Sequence, residues 1–204
     1  MDDFDLLDRW RDGDRSAGNQ LFQRHFESVN RFFENKLGQD VDDLVQTTFL
    51  QLTRDADKFR KQASFRTYLF AIARNQLYRY LRKHIGKKDV DFSYKSLADM
   101  NTSPPSRLVN DERKLFLLDA LRTLPLEQQL LIELYYWEDV SVEALAQVFE
   151  IAAPTVRTRL FRARAALRDK MAKLSEKSRA AGEDGDSDSL DAWAHGLRAT
   201  WVGP

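Results

Sequence analysis

Two basic stretches hold the residues with chemistry to offer. The first, FRTYLFAIARNQLYRYLRK at 65–83, sets Arg66, Arg74, Arg79 and Arg82 among phenylalanines, tyrosines and Asn75. Guanidinium groups hold phosphates. Aromatic rings give unpaired bases a face to stack on, and the Asn amide offers a donor and an acceptor to a base edge. The second stretch, PTVRTRLFRARAAL at 154–167, is followed by Arg168. On helical spacing, Val156, Leu160, Ala163 and Leu167 repeat at four, three and four, which makes a buried stripe. Thr158, Phe161, Arg162 and Ala165 occupy another face, flanked by Arg157, Arg159, Arg164 and Arg168. The DNA major groove admits one such helix, with arginines on phosphates and a few side chains at base edges. A plain helical hairpin with a solvated basic face has the same pattern.

Other chemistries lack their residues. There is no cysteine, which excludes structural disulfides and cysteine-ligated zinc. His25, His84 and His195 are scattered and suggest neither a metal site nor catalysis. No phosphate-cradling glycine loop, HExxH pair or nucleophile motif is present, so the expectation is a protein that is not an enzyme and takes no cofactor or metal. A nuclease built on Asp40, Asp42 and Asp43 is a rival that metal-dependent cleavage would reveal. A protein-only adaptor is another, and predicts no contact with DNA.

The charge distribution separates the basic stretches from the rest. The chain is neutral overall, yet residues 1–53 carry 6 basic and 11 acidic side chains and residues 54–88 carry 11 and 2. Residues 154–174 carry 7 and 1, and from Ser175 onward the balance is 3 and 6. Two basic islands in a neutral chain matter more than its average. The longest apolar runs are too short to span a bilayer and the start is acidic, so no membrane insertion is expected, and the chain reads as soluble and intracellular.

The elements that must position these residues are helical almost throughout, which predicts an all-α fold of two small helical domains. The first, residues 1–88, opens with a helix over Asp3–Arg11 broken at Gly13-Asp14. A long helix follows with Leu21, Phe22, Phe26, Val29, Phe32 and Phe33 at helical spacing, ending near Gly38. Asp40 is the expected cap of the next helix, whose buried stripe is Val41, Leu44, Val45, Thr48 and Leu52. Ser64 should cap the basic helix, with Leu69, Ile72, Ala73 and Tyr80 inward and Gly86 at its end. Residues 89–108 lose periodicity around Pro104-Pro105 and read as a flexible linker. Periodicity resumes in a second domain, 109–174, with a break before Pro125. Its Ser141–Phe149 helix, a turn at Glu150–Ala152 and the helix from Pro154 form a helix-turn-helix. The stretch 175–204 is an acidic tail ending in Leu190, Trp193, Leu197 and Trp201 at helical spacing; it is either a disordered extension or a cover for a basic surface.

PTVRTRLFRARAAL resembles the end of region 4 of sigma-70 family sigma factors. DVDDLVQTTFLQL and FRTYLFAIARNQLYRYLRK resemble region 2 of the same family. The two-block layout over residues 1–174 resembles its extracytoplasmic-function group. The resemblance implies an alternative sigma factor that binds core RNA polymerase and recognises −10 and −35 promoter elements to start transcription in the bacterial cytosol, with the nucleoid. It assigns Arg157, Thr158, Arg159, Phe161 and Arg162 to the −35 element. It assigns Phe59, Arg66, Tyr68, Arg74, Asn75, Tyr78, Arg79 and Arg82 to the −10 element, with the loop 54–64 receiving a flipped base. Asp42, Asp43, Gln46, Thr47 and Leu50 are implied to dock on the coiled coil of the largest catalytic subunit, and Leu130–Trp137 to touch the flap of the second large subunit. An anti-sigma protein is implied as a candidate regulator. Three positions depart from the pattern. Tyr68 stands where the family commonly has Trp, Glu150 where it often has Gly, and Thr47 where it often has Glu, so phosphorylation of Thr47 would restore the charge. The alternative is a helix-turn-helix regulator that does not replace the housekeeping sigma factor; it needs the second domain but not the region 2 motifs.

Overall fold

Side-chain caps fix where the first helices begin. The Asp2 carboxylate accepts the Asp5 N–H at 2.8 Å while the Asp2 N–H donates to Asp5 at 3.2 Å, a reciprocal box that starts α1 (Asp3–Arg11). Asp14 accepts the N–H groups of Ser16 and Ala17 and starts α2 (Arg15–Leu37). The first turn of α3 (Asp42–Asp55) carries Asp42 and Asp43, which favours the positive end of the helix dipole. Ser64 Oγ accepts the Thr67 N–H at 3.0 Å and starts α4 (Phe65–Ile85). Gly86 ends that helix at φ 70°, a left-handed conformation that a side chain would strain.

The computed structural model describes residues 1–38, 41–55, 64–100 and 112–180. Asp40, Phe59, residues 101–108 of the expected linker and the acidic tail from 181 onward lie outside the described residues. Among the described residues the fold is all-α, in two compact units, the first over Met1–Asp89 with Gln147–Glu150 and the second over Val90–Ala146 and from Ile151 onward.

In the first unit, burial of one apolar stripe per helix makes the core. Leu6 and Leu7 of α1, Leu21, Val29 and Phe33 of α2, Leu52 of α3, and Leu69, Phe70, Leu77 and Leu81 of α4 are fully enclosed. Aromatic contacts tie the helices together. Phe22 meets Phe49 of α3 with ring centroids 4.6 Å apart, and Phe32 meets Phe70 of α4 at 5.8 Å. Trp10 of α1 lies so close over Gly18 of α2 that a Cβ there would fall 2.5 Å from Trp10 Nε1. His25 is buried between α1 and α4, with Nε2 2.9 Å from Asp3 Oδ2 and its ring 5.0 Å from that of Phe65. Burial pushes its pKa below the ordinary value, more than the Asp3 carboxylate raises it. Tyr80, expected inward, is instead exposed and stacks on His84 at 6.1 Å. Leu77 and Leu81 take the inward positions, and Tyr80, about 60° round the helix from Leu77 and about 100° from Leu81, falls at the edge of that face.

The second unit carries α5 (Glu112–Arg122), α6 (Leu126–Tyr136), all but the last turn of α7 (Val142–Phe149), and α8 (Ala153–Ala180). Its core joins Leu117, Leu118, Leu121 and Leu124 to Ile132, Tyr136 and Trp137 and to Ala163 and Leu167 of α8. From Leu130 to Trp137 every residue is buried except Tyr135, so most of this segment is core. Residues 90–100, inside the expected linker, carry fixed packing: Phe92, Leu97 and Met100 are buried, and the Ala98 N–H donates to the Arg122 carbonyl at 3.1 Å.

Candidate nucleic-acid interface

The α7–α8 pair has the geometry of a helix-turn-helix. Ser141 Oγ accepts the Ala144 N–H at 3.1 Å and caps α7. After Phe149 the backbone turns left-handed at Glu150, φ 56°, the position where glycine is usual. The Glu150 N–H donates to the Gln147 carbonyl and the Ile151 N–H to that of Ala146, so the terminal carbonyls of α7 are satisfied despite the missing glycine. The departure at Glu150 is therefore accommodated by backbone strain, which for a non-glycine residue costs about 1 kcal/mol.

On α8 the inward stripe and the outward row are where the spacing puts them. Val156, Leu160, Ala163 and Leu167 are buried, and Thr158, Phe161, Arg162 and Ala165 are exposed. Phe161 keeps 67 % of its surface in solvent, a large apolar ring that nothing covers. The arginines divide by what holds them. Arg159 Nη1 donates to Glu127 Oε2 of α6 at 2.6 Å, and Arg157 Nη2 donates to Glu143 Oε1 of α7 at 2.9 Å. Arg164 Nη1 donates to the Tyr136 hydroxyl at 3.2 Å. Arg162 is exposed beside Phe161 with no such partner among the described residues. The three carboxylate and phenol partners were missed in the sequence, because they lie on other helices 14 to 32 positions away.

On α4, Asn75, Arg79 and Arg82 recur at four and three and are all exposed on one stripe. Lys83, His84, Lys87 and Lys88 extend the exposed basic surface past them; the continuing charge run was the signal for these residues. The remaining expected contacts are more enclosed. Arg74 is buried, and its Nε and Nη2 donate to Asn75 Oδ1 at 3.2 and 2.9 Å, leaving the Asn75 amide nitrogen outward-capable. Half-buried Tyr78 has the Arg74 and Arg82 guanidiniums 5.7 and 5.9 Å from its ring. Arg66 is half-buried, 5.7 Å from the Phe70 ring. Tyr68 is half-buried too, with its hydroxyl donating to the Asp55 carbonyl at 3.3 Å; burial, aided by the Asp55 charge, pushes its phenol pKa up.

The third surface is on α3. Asp42, Asp43, Gln46, Thr47 and Leu50 are all exposed, with Leu50 at 50 %, while Val45, Thr48, Phe49 and Leu52 are buried behind them. An acidic row ending in an apolar side chain suits a basic helical partner. Among the described residues no three His, Asp or Glu side chains converge as a metal site, and no helix is long and apolar enough to cross a membrane.

Known proteins share this layout. The profile described as Sigma-70 region 2 matches residues 21–85, and the profile described as Sigma-70, region 4 matches residues 115–167. The ECF RNA polymerase sigma-E factor of Haemophilus influenzae is 29% identical over 181 residues, covering 83% of this chain and 95% of that protein. Its counterpart of the same name in Escherichia coli (strain K12) is 28% identical over 179 residues, covering 83% and 94%. The solved structure of CnrH in complex with the cytosolic domain of CnrY matches with a TM-score of 0.61 at 24% identity, over 82% of this chain and 96% of that one. The sigma factor RpoE in complex with the anti-sigma factor NepR from Bartonella quintana matches with a TM-score of 0.58 at 23% identity, over 76% and 96%. At that identity the two structures speak to the fold alone.

Proposed function

The chain belongs to the sigma-70 family, in its extracytoplasmic-function group, and on that premise we propose how its surfaces share the work of starting transcription. It is an alternative sigma factor that directs transcription initiation. The α8 row of Thr158, Phe161 and Arg162 enters the major groove of the −35 element, with Arg157 and Arg159 toward phosphates. Asn75, Arg79 and Arg82 meet the −10 element, with Arg66, Tyr68, Arg74, Tyr78 and Phe59 contributing as the strands separate. Stacking and charge then capture unpaired bases without ATP. The exposed α3 face of Asp42, Asp43, Gln46, Thr47 and Leu50 docks on the coiled coil of the largest subunit of core RNA polymerase, and Tyr135 is the side chain of its segment exposed toward a flap partner. The reading places the protein in the cytosol and makes it a DNA-binding initiation factor rather than an enzyme.

One observation carries the DNA part: on α8 the outward row sits opposite a wholly buried stripe, so the helix is seated in its unit and offers one face outward. An anti-sigma protein is a further proposed partner, of the kind that the similarly folded RpoE of Bartonella quintana binds in its complex with NepR. The test is to mix the chain with sigma-free core polymerase from its own organism, then measure co-elution and promoter-specific transcription on genomic fragments. Specific transcripts are expected. A folded sample that neither co-elutes nor transcribes would overturn the reading.

A further inference from the structure

We propose that Val90–Met100 is a releasable strap: seated on the α5–α6 turn it leaves the chain too short to engage both promoter elements, and its release supplies the reach. This rests on the reading that the two units hold the −10 and −35 elements at the same time.

The strap is a built feature. Phe92 and Leu97 are 2 % and 0 % exposed, and Met100 is buried beside them. Three backbone bonds join it to the helix ends. The Ala98 N–H donates to the Arg122 carbonyl at 3.1 Å, the Leu126 N–H to the Lys95 carbonyl at 2.9 Å and the Glu127 N–H to the Phe92 carbonyl at 3.1 Å. These are groups that the end of α5 and the start of α6 leave without an intrahelical partner. Ser96 and Asp99 close the strap's own turn reciprocally, each backbone N–H donating to the other's side chain at 3.1 Å.

It is also separable. The core cluster of the second unit, from Leu117 to Leu167, is assembled without any strap residue. The strap's outer side is uncovered, with Tyr94 80 % exposed and Lys95, Ala98 and Asp99 also in solvent. A segment outside that core cluster, with an open outer side, belongs to the part of a fold that opens first.

Length decides the rest. The −10 and −35 elements lie about 25 base pairs apart by their names, which is ~85 Å of duplex at about 3.4 Å per base pair. Units of this size have radii of gyration of about 13 Å, so about 60 Å remains for the chain to cross between them. Helix α4 ends at Ile85 and the seated strap is bonded to the start of α6 from Phe92 onward, so residues 86–91, spanning up to about 20 Å at about 3.4 Å per residue, are what the seated strap leaves for that crossing. Unseated, the 22 residues 90–111 reach up to ~75 Å at about 3.4 Å per residue.

The chain has no cysteine, so a Ser96→Cys/Pro125→Cys variant forms one defined pair across the isolated antiparallel bridge that these two residues make. With core polymerase, the oxidised variant is expected to match the reduced one in core binding and in binding a −35 duplex. It is expected to lose promoter-specific transcription at least tenfold, and reductant should restore it. A flexible Gly/Ser insert of about 20 residues between Asp89 and Val90 should restore it without reduction. Equal transcription from oxidised and reduced protein overturns the strap, and so does failure of the insert to rescue. Unmodified protein supplies an independent reading. The Leu126 and Glu127 amides should be protected from hydrogen exchange in the free chain and lose at least about tenfold of that protection in the promoter complex. Unchanged protection overturns the proposal. Failure of the unmodified chain to direct transcription would instead sink the sigma reading beneath it.

Discussion

Arg159 and Arg162 carry the same charge three residues apart on α8, yet their surroundings give them different work. Arg159 is held by Glu127 at 2.6 Å, so part of its charge is already answered within the second unit. Arg162 stands exposed beside the bare ring of Phe161, and its guanidinium fork fits a guanine edge in the major groove. Arg162→Ala should therefore weaken binding to a −35 duplex by about 10- to 100-fold, the size of one lost bidentate base contact. Core-polymerase binding should not change, and fluorescence anisotropy with each partner checks both. Equal loss of the two would mean misfolding or a wrong assignment of the helix. On α3 the question is a missing charge. Thr47 is exposed in the acidic row with Asp42 and Asp43. Thr47→Glu should tighten core binding severalfold at low salt, as an added complementary charge does. A variant that binds no better than the wild type removes both the charge argument and the case for phosphorylation at Thr47.

Helices rather than residues set the pH response. His25 lies at the junction of α1, α2 and the first turn of α4, facing Asp3 of α1, Arg24 of its own helix and Arg66 of α4. Its folded pKa is depressed by burial, so the unfolded chain binds the proton more readily. The stability this contributes is present above the ordinary histidine pKa of 6.5 and is lost as pH falls through the lower folded value. Thermal unfolding should show a melting temperature that drops as pH goes from about 7.5 to about 5.5, and His25→Asn should flatten the drop. A wild-type melting temperature that is level across that window would rule out the charge-state argument. The same scale explains what the sequence disclosed. The bounds of α1, the Ser64 and Ser141 caps and both faces of α8 were legible because local periodicity and capping chemistry decide them. Tyr80 was misread because its eleven-residue spacing from Leu69 puts it on nearly the same side of the helix, yet Leu77 and Leu81 won the interior. Phe92, Leu97 and Met100 gave no periodic signal, since backbone bonds to α5 and α6 hold them rather than a helix of their own. The burial of Arg74 and the partners of Arg157 and Arg159 depend on tertiary neighbours that no window of the sequence contains.

At the scale of the whole molecule, neutrality is the feature to explain, because a sigma factor that directs transcription initiation here has no net charge to draw it to DNA. The basic stretches 54–88 and 154–174 are balanced by acidic ones, and 175–204 alone contributes 3 basic and 6 acidic side chains. Removing residues 176–204 takes the formal net charge from +0 to +3. If the tail acts only through its field, the truncated chain should bind a non-specific duplex several times more tightly at about 50 mM salt. The gap should close above about 0.2 M, where the screening length falls below ~8 Å. The gap would instead persist at high salt if Leu190, Trp193, Leu197 and Trp201 seat on the protein as an apolar cover, because salt does not screen the burial of apolar surface. The field account is the expected one: an acidic run of this composition repels the duplex wherever it lies. Titrating both chains against a labelled random duplex at four salt concentrations decides between them. Identical affinities at the lowest salt would show that the tail has no part in DNA binding.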